Sequence, residues 1–460
     1  MFSLVSKPNS NPEVSESRQL FELSRNLNSQ AQKYKRQEII NSKRKNFSSD
    51  FLVPPMANED PDSLIMELAE IMDRTFNKLS VSNTHKNKNM KKILVRLRDI
   101  LHGSNNERLA SSKHFDLYLE LLITILRNNP TDILYESLRN ISLLTFHSHI
   151  FDSSKLISPL LELVELQEKK LNIMNANIVL EKLLFSIGNL ALESNIHHEL
   201  LIKSRLPEII GNKLLYRNDL NLLTTGLWVL SNLIRNTKDG ILQEMIKISN
   251  LYKVVLHLFH KFNENNNPLL ISELLWMLVI ISNNSNSYEL FDSNLMLKVT
   301  NFLPSQNIKI SIPTITILAN LAQFMGENCL ELMRNTTFQN IVEKILFSNM
   351  YILKREMVFL LGNFVAVDAR IAEFFIMNGS IMTFISDMFW ELKQNNIKED
   401  IFNDLIYFFL NIASHKMSNT GKIFCENYPR VIEVFQFLLN SIETNQNMKN
   451  FAKAFFSLIY

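Results

Sequence analysis

An aromatic residue followed four positions later by an asparagine recurs along this 460-residue chain. The pairs are Phe185 with Asn189, Trp228 with Asn232, Phe359 with Asn363, and Tyr407 with Asn411. Positions i and i+4 share one face of a helix. A primary amide offers both donor and acceptor atoms, so it can engage the N–H and C=O of an extended peptide whatever its side chains. Rings between such amides form slots for lysine and arginine stems, with cation–π attraction of about 0.5–2 kcal/mol. Acidic residues stand one turn away: Glu193, Glu273, Glu356 and Asp404. Ladder and acids together point to an extended basic peptide as ligand. A single aromatic at helical spacing is ordinarily core, and a single Asn ordinarily a surface or cap residue. Recurrence at one register favours a surface that binds.

The elements that would carry this ladder are helices. From residue 62 onward apolar residues recur at three and four, as in Tyr118, Leu121, Leu122, Ile125 and Leu126, and strand-type alternation is scarce. The ladder positions are Leu143, Asn189, Asn232, Ile280, Asn320, Asn363 and Asn411, separated by 40 to 48 residues. That period is the one of HEAT and armadillo arrays, which stack helical units into a solenoid. A loop follows each unit, and later helices open near Pro159, Pro207 and Pro429, as suits a residue without an N–H in a first helical turn.

Composition narrows the function. Only nine glycines are present, none placed for a G-x-G-x-x-G or Walker A loop; those phosphate cradles need close approach of backbone N–H groups. The net charge of +2 argues against a dedicated nucleic-acid coat. Cys329 and Cys425 make no C-x-x-C pair and fit a reducing compartment. His257 and His260 lie at i, i+3 without a third ligand at useful spacing, and His197-His198 reads as a solvated inter-helix loop. Lys86, Lys88, Lys91, Lys92, Arg96 and Arg98 form a basic patch with no interleaved aromatics, which reads as a solvated helix face. No apolar signal core opens the chain, and no apolar run is long enough to span a bilayer without polar interruption. The expectation is a soluble, intracellular, non-enzymatic protein with no cofactor, metal, nucleic acid or membrane partner.

The first 61 residues differ from the body. They hold five of the twelve prolines, and residues 1–50 carry nine Lys or Arg against five Asp or Glu. The reading is a basic, largely disordered arm followed by a solenoid over residues 62–460. The arm's basic run fits a solvated tail or a localisation signal of the chain's own.

At the ladder residues the chain resembles importin-α, the armadillo-repeat adaptor that reads nuclear localisation signals. Trp228-Val-Leu-Ser-Asn232 matches the family's W-x-x-x-N motif, and the order of exceptions matches too: Trp276 is paired with Ile280, and Thr316 with Asn320. In the arm, Lys43-Arg44-Lys45-Asn46-Phe47 is similar to the end of the family's importin-β-binding segment, here placed at about residues 16–47. The resemblance covers roughly residues 18–460. It implies a right-handed superhelical solenoid of about nine armadillo repeats that binds localisation-signal peptides in a groove and links cargo to an importin-β-type carrier. The major site would use Phe185, Asn189, Glu193, Trp228, Asn232, Glu273 and Trp276. The minor site would use Asn320, Glu356, Phe359, Asn363, Asp404, Tyr407 and Asn411. Arg36 and Lys43 to Phe47 would occupy the groove or face importin-β, alongside Arg18, Arg25, Lys33 and Lys35. The implied location is shuttling between cytoplasm and nucleus, with an export receptor as a further partner, although the family's acidic C-terminal region is missing or minimal. The chain departs from the pattern at Arg139 and Leu143, which stand where the second repeat would carry Trp and Asn. A weaker or shifted major site is expected, with Arg139 repelling a basic ligand. The alternative is an armadillo scaffold outside nuclear transport.

Overall fold

The computed structural model describes residues 60–76, 83–102, 109–128, 131–146, 152–169, 176–235, 239–283, 290–377, 379–394, 400–415, 420–441 and 446–459. Among them the secondary structure is helical throughout, with no strand. The arm residues Arg36, Lys43, Arg44, Lys45, Asn46 and Phe47 lie outside the described residues.

One series of long helices carries the ladder register. In chain order these are α1 (Asn83–His102), α2 (Thr131–Phe146), α3 (Ala176–Leu190), α4 (Leu220–Ile234), α5 (Pro268–Ser282), α6 (Ile308–Met325), α7 (Tyr351–Val367), α8 (Asp400–Ser414) and α9 (Gln446–Ile459). Shorter helices lie between them, for example Ile157–Glu168, Thr336–Leu346 and Pro429–Asn440.

The chain divides into two compact units, one ending at Met277 and the other beginning at Leu278, so the boundary falls inside α5. In the first unit α2 packs on α1, α3 on α2 and α4 on α3. In the second, α7 packs on α6, α8 on α7 and α9 on α8. Within each unit the inner series helices α2, α3, α7 and α8 are thus covered on two sides by their own kind and on a third by the shorter helices. From Thr225 to Ile234 every residue of α4 is buried, which leaves it no polar stripe there. Helix α6 is long and apolar enough to cross a membrane by length and composition alone, yet 72% of it is buried inside the protein, as in a core helix.

The polar loop residues act as caps. Asp219 accepts from Leu222 N (3.1 Å), Asp292 from Leu295 N (2.9 Å), Asn307 from Lys309 N (3.0 Å) and Asn335 from Thr337 N (2.9 Å). Each satisfies a donor that the first turn leaves open, typically for about 1 kcal/mol. Gly326 ends α6 at φ +52°, a conformation that L side chains rarely adopt, and helix Glu327–Arg334 starts directly after it.

Candidate functional site: the asparagine and aromatic ladder

The ladder amides share one contact that the sequence did not announce. Asn232 Nδ2 donates to Gly188 O (3.1 Å), Asn363 Nδ2 to Ala319 O (2.9 Å) and Asn411 Nδ2 to Gly362 O (3.0 Å). Asn320 Nδ2 reaches Ser282 Oγ (3.0 Å) and, more distantly, Val279 O (3.4 Å). Each of these carbonyls belongs to the residue just before the ladder position of the preceding series helix. Asn189 is weaker, with Nδ2 3.4 Å from Thr145 Oγ1. The amide therefore ties consecutive repeats together before it does anything else. A side chain read as a two-handed clamp keeps one N–H and its carbonyl oxygen for other uses.

The oxygens differ along the chain. Asn189 and Asn232 are each 1% exposed. Asn232 Oδ1 accepts from Arg235 Nη2 (3.3 Å), whereas Asn189 Oδ1 is buried without a partner. Asn320, Asn363 and Asn411 retain 5–8% exposure, and among the described residues nothing donates to their Oδ1 atoms.

The ladder rings are packed. Phe185, Trp228, Trp276, Phe359 and Tyr407 are all buried. Phe185 stacks on Trp228 with centroids 5.5 Å apart, and Tyr407 meets Phe451 edge-on at 5.2 Å. The Trp228 ring lies so close over Gly188 that a Cβ there would sit 2.2 Å from its Cζ3; only glycine admits this approach. Its Nε1 is buried without a partner.

The acids face inward more than a rim would require. Glu356 is buried and accepts from Thr316 Oγ1 at 3.0 Å, so a carboxylate and a hydroxyl meet where the sixth unit lacks its ring. Asp404 pairs with Arg355 at 3.0 Å, both side chains about 10% exposed. Glu193 takes the Ser153 hydroxyl and lies 3.4 Å from His197 Nδ1. Glu273 is buried. Burial raises the Tyr407 hydroxyl to about 12, with the Asp404 charge adding to the effect.

Two residues of the second repeat went unrecognised in the sequence. Glu136 stands three before Arg139, the register shared by Glu273, Glu356 and Asp404. It is buried, pairs with Arg98 at 2.9 Å and lies 3.7 Å from Arg139. Arg139 therefore shares the Glu136 carboxylate with Arg98 and sits over the Tyr135 ring at 5.7 Å. Its pKa is lowered by desolvation and the nearby Arg98. Asn140 is the other. Its Nδ2 donates to Leu94 O (3.0 Å) and its Oδ1 accepts from Tyr118 (2.8 Å). It joins α1 to α2 although it stands three residues ahead of the ladder position. The histidine pair also differs from expectation: His197 and His198 are buried on helix Asn195–Lys203, with His198 Nε2 2.7 Å from Leu233 O.

No family model matches this sequence, and no curated protein does. Its structure is similar to solved ones. An engineered protein from the Northeast Structural Genomics Consortium superimposes with a TM-score of 0.59 at 15% identity, over 87% of this chain and 99% of that one. The fold is an armadillo-like all-α solenoid. A designed armadillo-repeat protein aligns at TM-score 0.44 and 15% identity, over 57% of this chain and 100% of its own. Another, computationally designed for modular peptide recognition, aligns at 0.43 and 17% over 53% of this chain and 98% of its own. At 15% identity the first of these likenesses is one of fold.

Proposed function

We propose that this protein is a non-enzymatic interaction scaffold that holds an extended segment of a partner polypeptide along its ladder face. The observation that carries the reading is the row Asn320, Asn363 and Asn411. In three successive repeats an amide is anchored through Nδ2 to the helix before it, while Oδ1 accepts no hydrogen bond among the described residues. Packed helices stand about 8–10 Å apart, the reach of about three extended residues. Backbone N–H groups of a strand-like ligand would meet successive Oδ1 atoms at that interval. Each such bond contributes about 0.5–1.5 kcal/mol, so affinity accumulates with repeat number.

A finer version is the importin-α-like one: an adaptor that reads basic localisation signals, docks on an importin-β-type carrier, is returned by an export receptor, and shuttles between cytoplasm and nucleus. The register of exceptions at Ile280 and Thr316 supports it, as does the Lys43–Phe47 run. The paired acids support the scaffold outside transport instead. Asp404 is paired with Arg355, and Glu273 and Glu356 are buried, so less negative charge faces a basic ligand than the sequence implies.

Fluorescence anisotropy of a labelled bipartite localisation peptide separates the two. The full chain is compared with a form beginning at Asp50, and each is tested for association with an importin-β-type carrier. Tighter peptide binding by the shorter form, together with arm-dependent carrier binding, would establish the adaptor. Absence of both leaves the scaffold.

A further inference from the structure

We infer that a second surface, in the unit beginning at Leu278, docks an acidic partner segment with a bulky apolar anchor. It lies where helix Thr336–Leu346 turns into α7. Four large apolar residues within six positions are exposed there: Phe347 at 61%, Met350 at 41%, Tyr351 at 40% and Ile352 at 48%. Scattered exposed apolar residues are ordinary, but a contiguous group of this kind marks an interaction site. The group is built rather than frayed. Phe347 packs on Phe384 of helix Gly379–Gln394 with centroids 4.4 Å apart, and Tyr351 Oη lies 3.5 Å from Ile401 N at the start of α8. The rings are fixed by neighbouring repeats, so little ordering is needed on binding.

Charge selects the occupant. Lys354 holds its ammonium 5.6 Å from the centre of the Phe384 ring, and the exposed Lys344 stands one turn before Phe347. Neither lysine has an ion pair among the described residues. Of the neighbouring acids, Asp387 pairs with Arg430, while Glu343 accepts from the neutral Ser380 Oγ at 3.0 Å and keeps its charge. Among the described residues two unpaired cations thus face one unpaired carboxylate, and a complementary partner brings carboxylates beside its anchor. Anionic membranes call for clusters of about four to eight basic residues, and two lysines fall short of that. The inference does not rest on the ladder reading, since none of these residues belongs to the ladder.

The test uses the full chain and three labelled peptides. One carries Trp and Leu anchors flanked by glutamates, one has the flanks changed to lysine, and one keeps the glutamates with alanine anchors. Fluorescence anisotropy should show much tighter binding of the first, the other two binding only as far as the ladder accepts an extended chain. Phe347→Ala with Ile352→Ala should weaken it about tenfold or more, and Lys344→Glu with Lys354→Glu should shift preference to the lysine-flanked peptide. Asn363→Ala, on the ladder, should weaken the other two peptides without removing the preference for the first. All substituted patch side chains are at least partly exposed, and circular dichroism checks that the variants stay folded. Equal binding of the alanine-anchored peptide, or binding that survives both double variants, overturns the inference. So does either of two other results lost in Phe347→Ala with Ile352→Ala: adsorption to phosphatidylcholine–phosphatidylserine vesicles without peptide binding, or self-association in sedimentation.

Discussion

The first-unit ladder and the second-unit ladder use the same residue types and expose them differently. In α3 and α4 the amides of Asn189 and Asn232 are almost fully covered, Phe185 and Trp228 stack, and Trp228 lies on Gly188. In α6, α7 and α8 the three amides reach the surface by a few per cent each, and their oxygens remain open. The ring positions differ in parallel. In the first unit the Trp228 ring lies over Gly188, the residue before Asn189, and Arg235 engages Asn232 Oδ1. Thr316 presents only a hydroxyl, Phe359 a smaller ring, and Tyr407 turns edge-on to Phe451. One motif thus serves packing in the first unit and leaves an acceptor row in the second.

The largest expected effect breaks the packing half of that comparison. Trp228→Ala removes a buried ring whose neighbours, Phe185 and Gly188, cannot fill the space. It should cost about 3–5 kcal/mol, read as a lowered urea midpoint with the unfolding slope retained. Gly188→Ala probes the same contact from the other side and should cost about 1–3 kcal/mol by overpacking. A neutral result for both would mean that the ring is not seated on α3, and the first-unit ladder would then be as open as the second.

A smaller effect sharpens the binding half. Asn232→Ala and Asn363→Ala each remove an inter-repeat bond, to Gly188 O or Ala319 O, and each should lose about 0.5–1.5 kcal/mol. Stability alone therefore does not distinguish them. Affinity for an extended peptide does: Asn363→Ala should weaken it about threefold to tenfold, while Asn232→Ala should change it by less than about twofold. Calorimetric titration of both variants with one peptide decides the matter, and equal losses would show that the sealed amide opens on binding.

The repeat period, the series helices and the ladder positions were all legible in the sequence, because each unit's apolar run fixes one helix and the aromatic and Asn mark its register. The partners were not. Which atom of Asn363 is engaged depends on the carbonyl of Ala319, 44 residues away, and nothing local encodes that contact. Glu136 was readable, since it stands three before the second repeat's ring position like Glu356 and Asp404. It was passed over because Arg139 breaks the aromatic pattern there. Asn140 carried no such mark: off the ladder register, it joins α1 through Leu94 O while its oxygen takes the Tyr118 hydroxyl. His197 and His198 were misread because a polar pair after a Ser cap looks like loop until the carbonyl of Leu233 is placed above it.

The smallest effect concerns Tyr407, and it tests whether the second-unit ladder is covered where its ring stands. Burial raises the phenol from its ordinary 10.0 to about 12, and the Asp404 carboxylate opposes phenolate formation as well. A raised folded-state pKa means that the native protein holds this proton more tightly than the unfolded chain does. Tyr407 therefore contributes stability that is complete below pH 10 and is lost as pH rises toward about 12. Spectrophotometric titration, compared with Tyr407→Phe, should assign one late-titrating phenol to this position. Asp404→Asn should move that phenol down while leaving the desolvation part of the shift in place. A Tyr407 that titrates at its ordinary value would place the ring in solvent, and the second-unit slot would then be an open aromatic surface rather than a covered one beside an open amide.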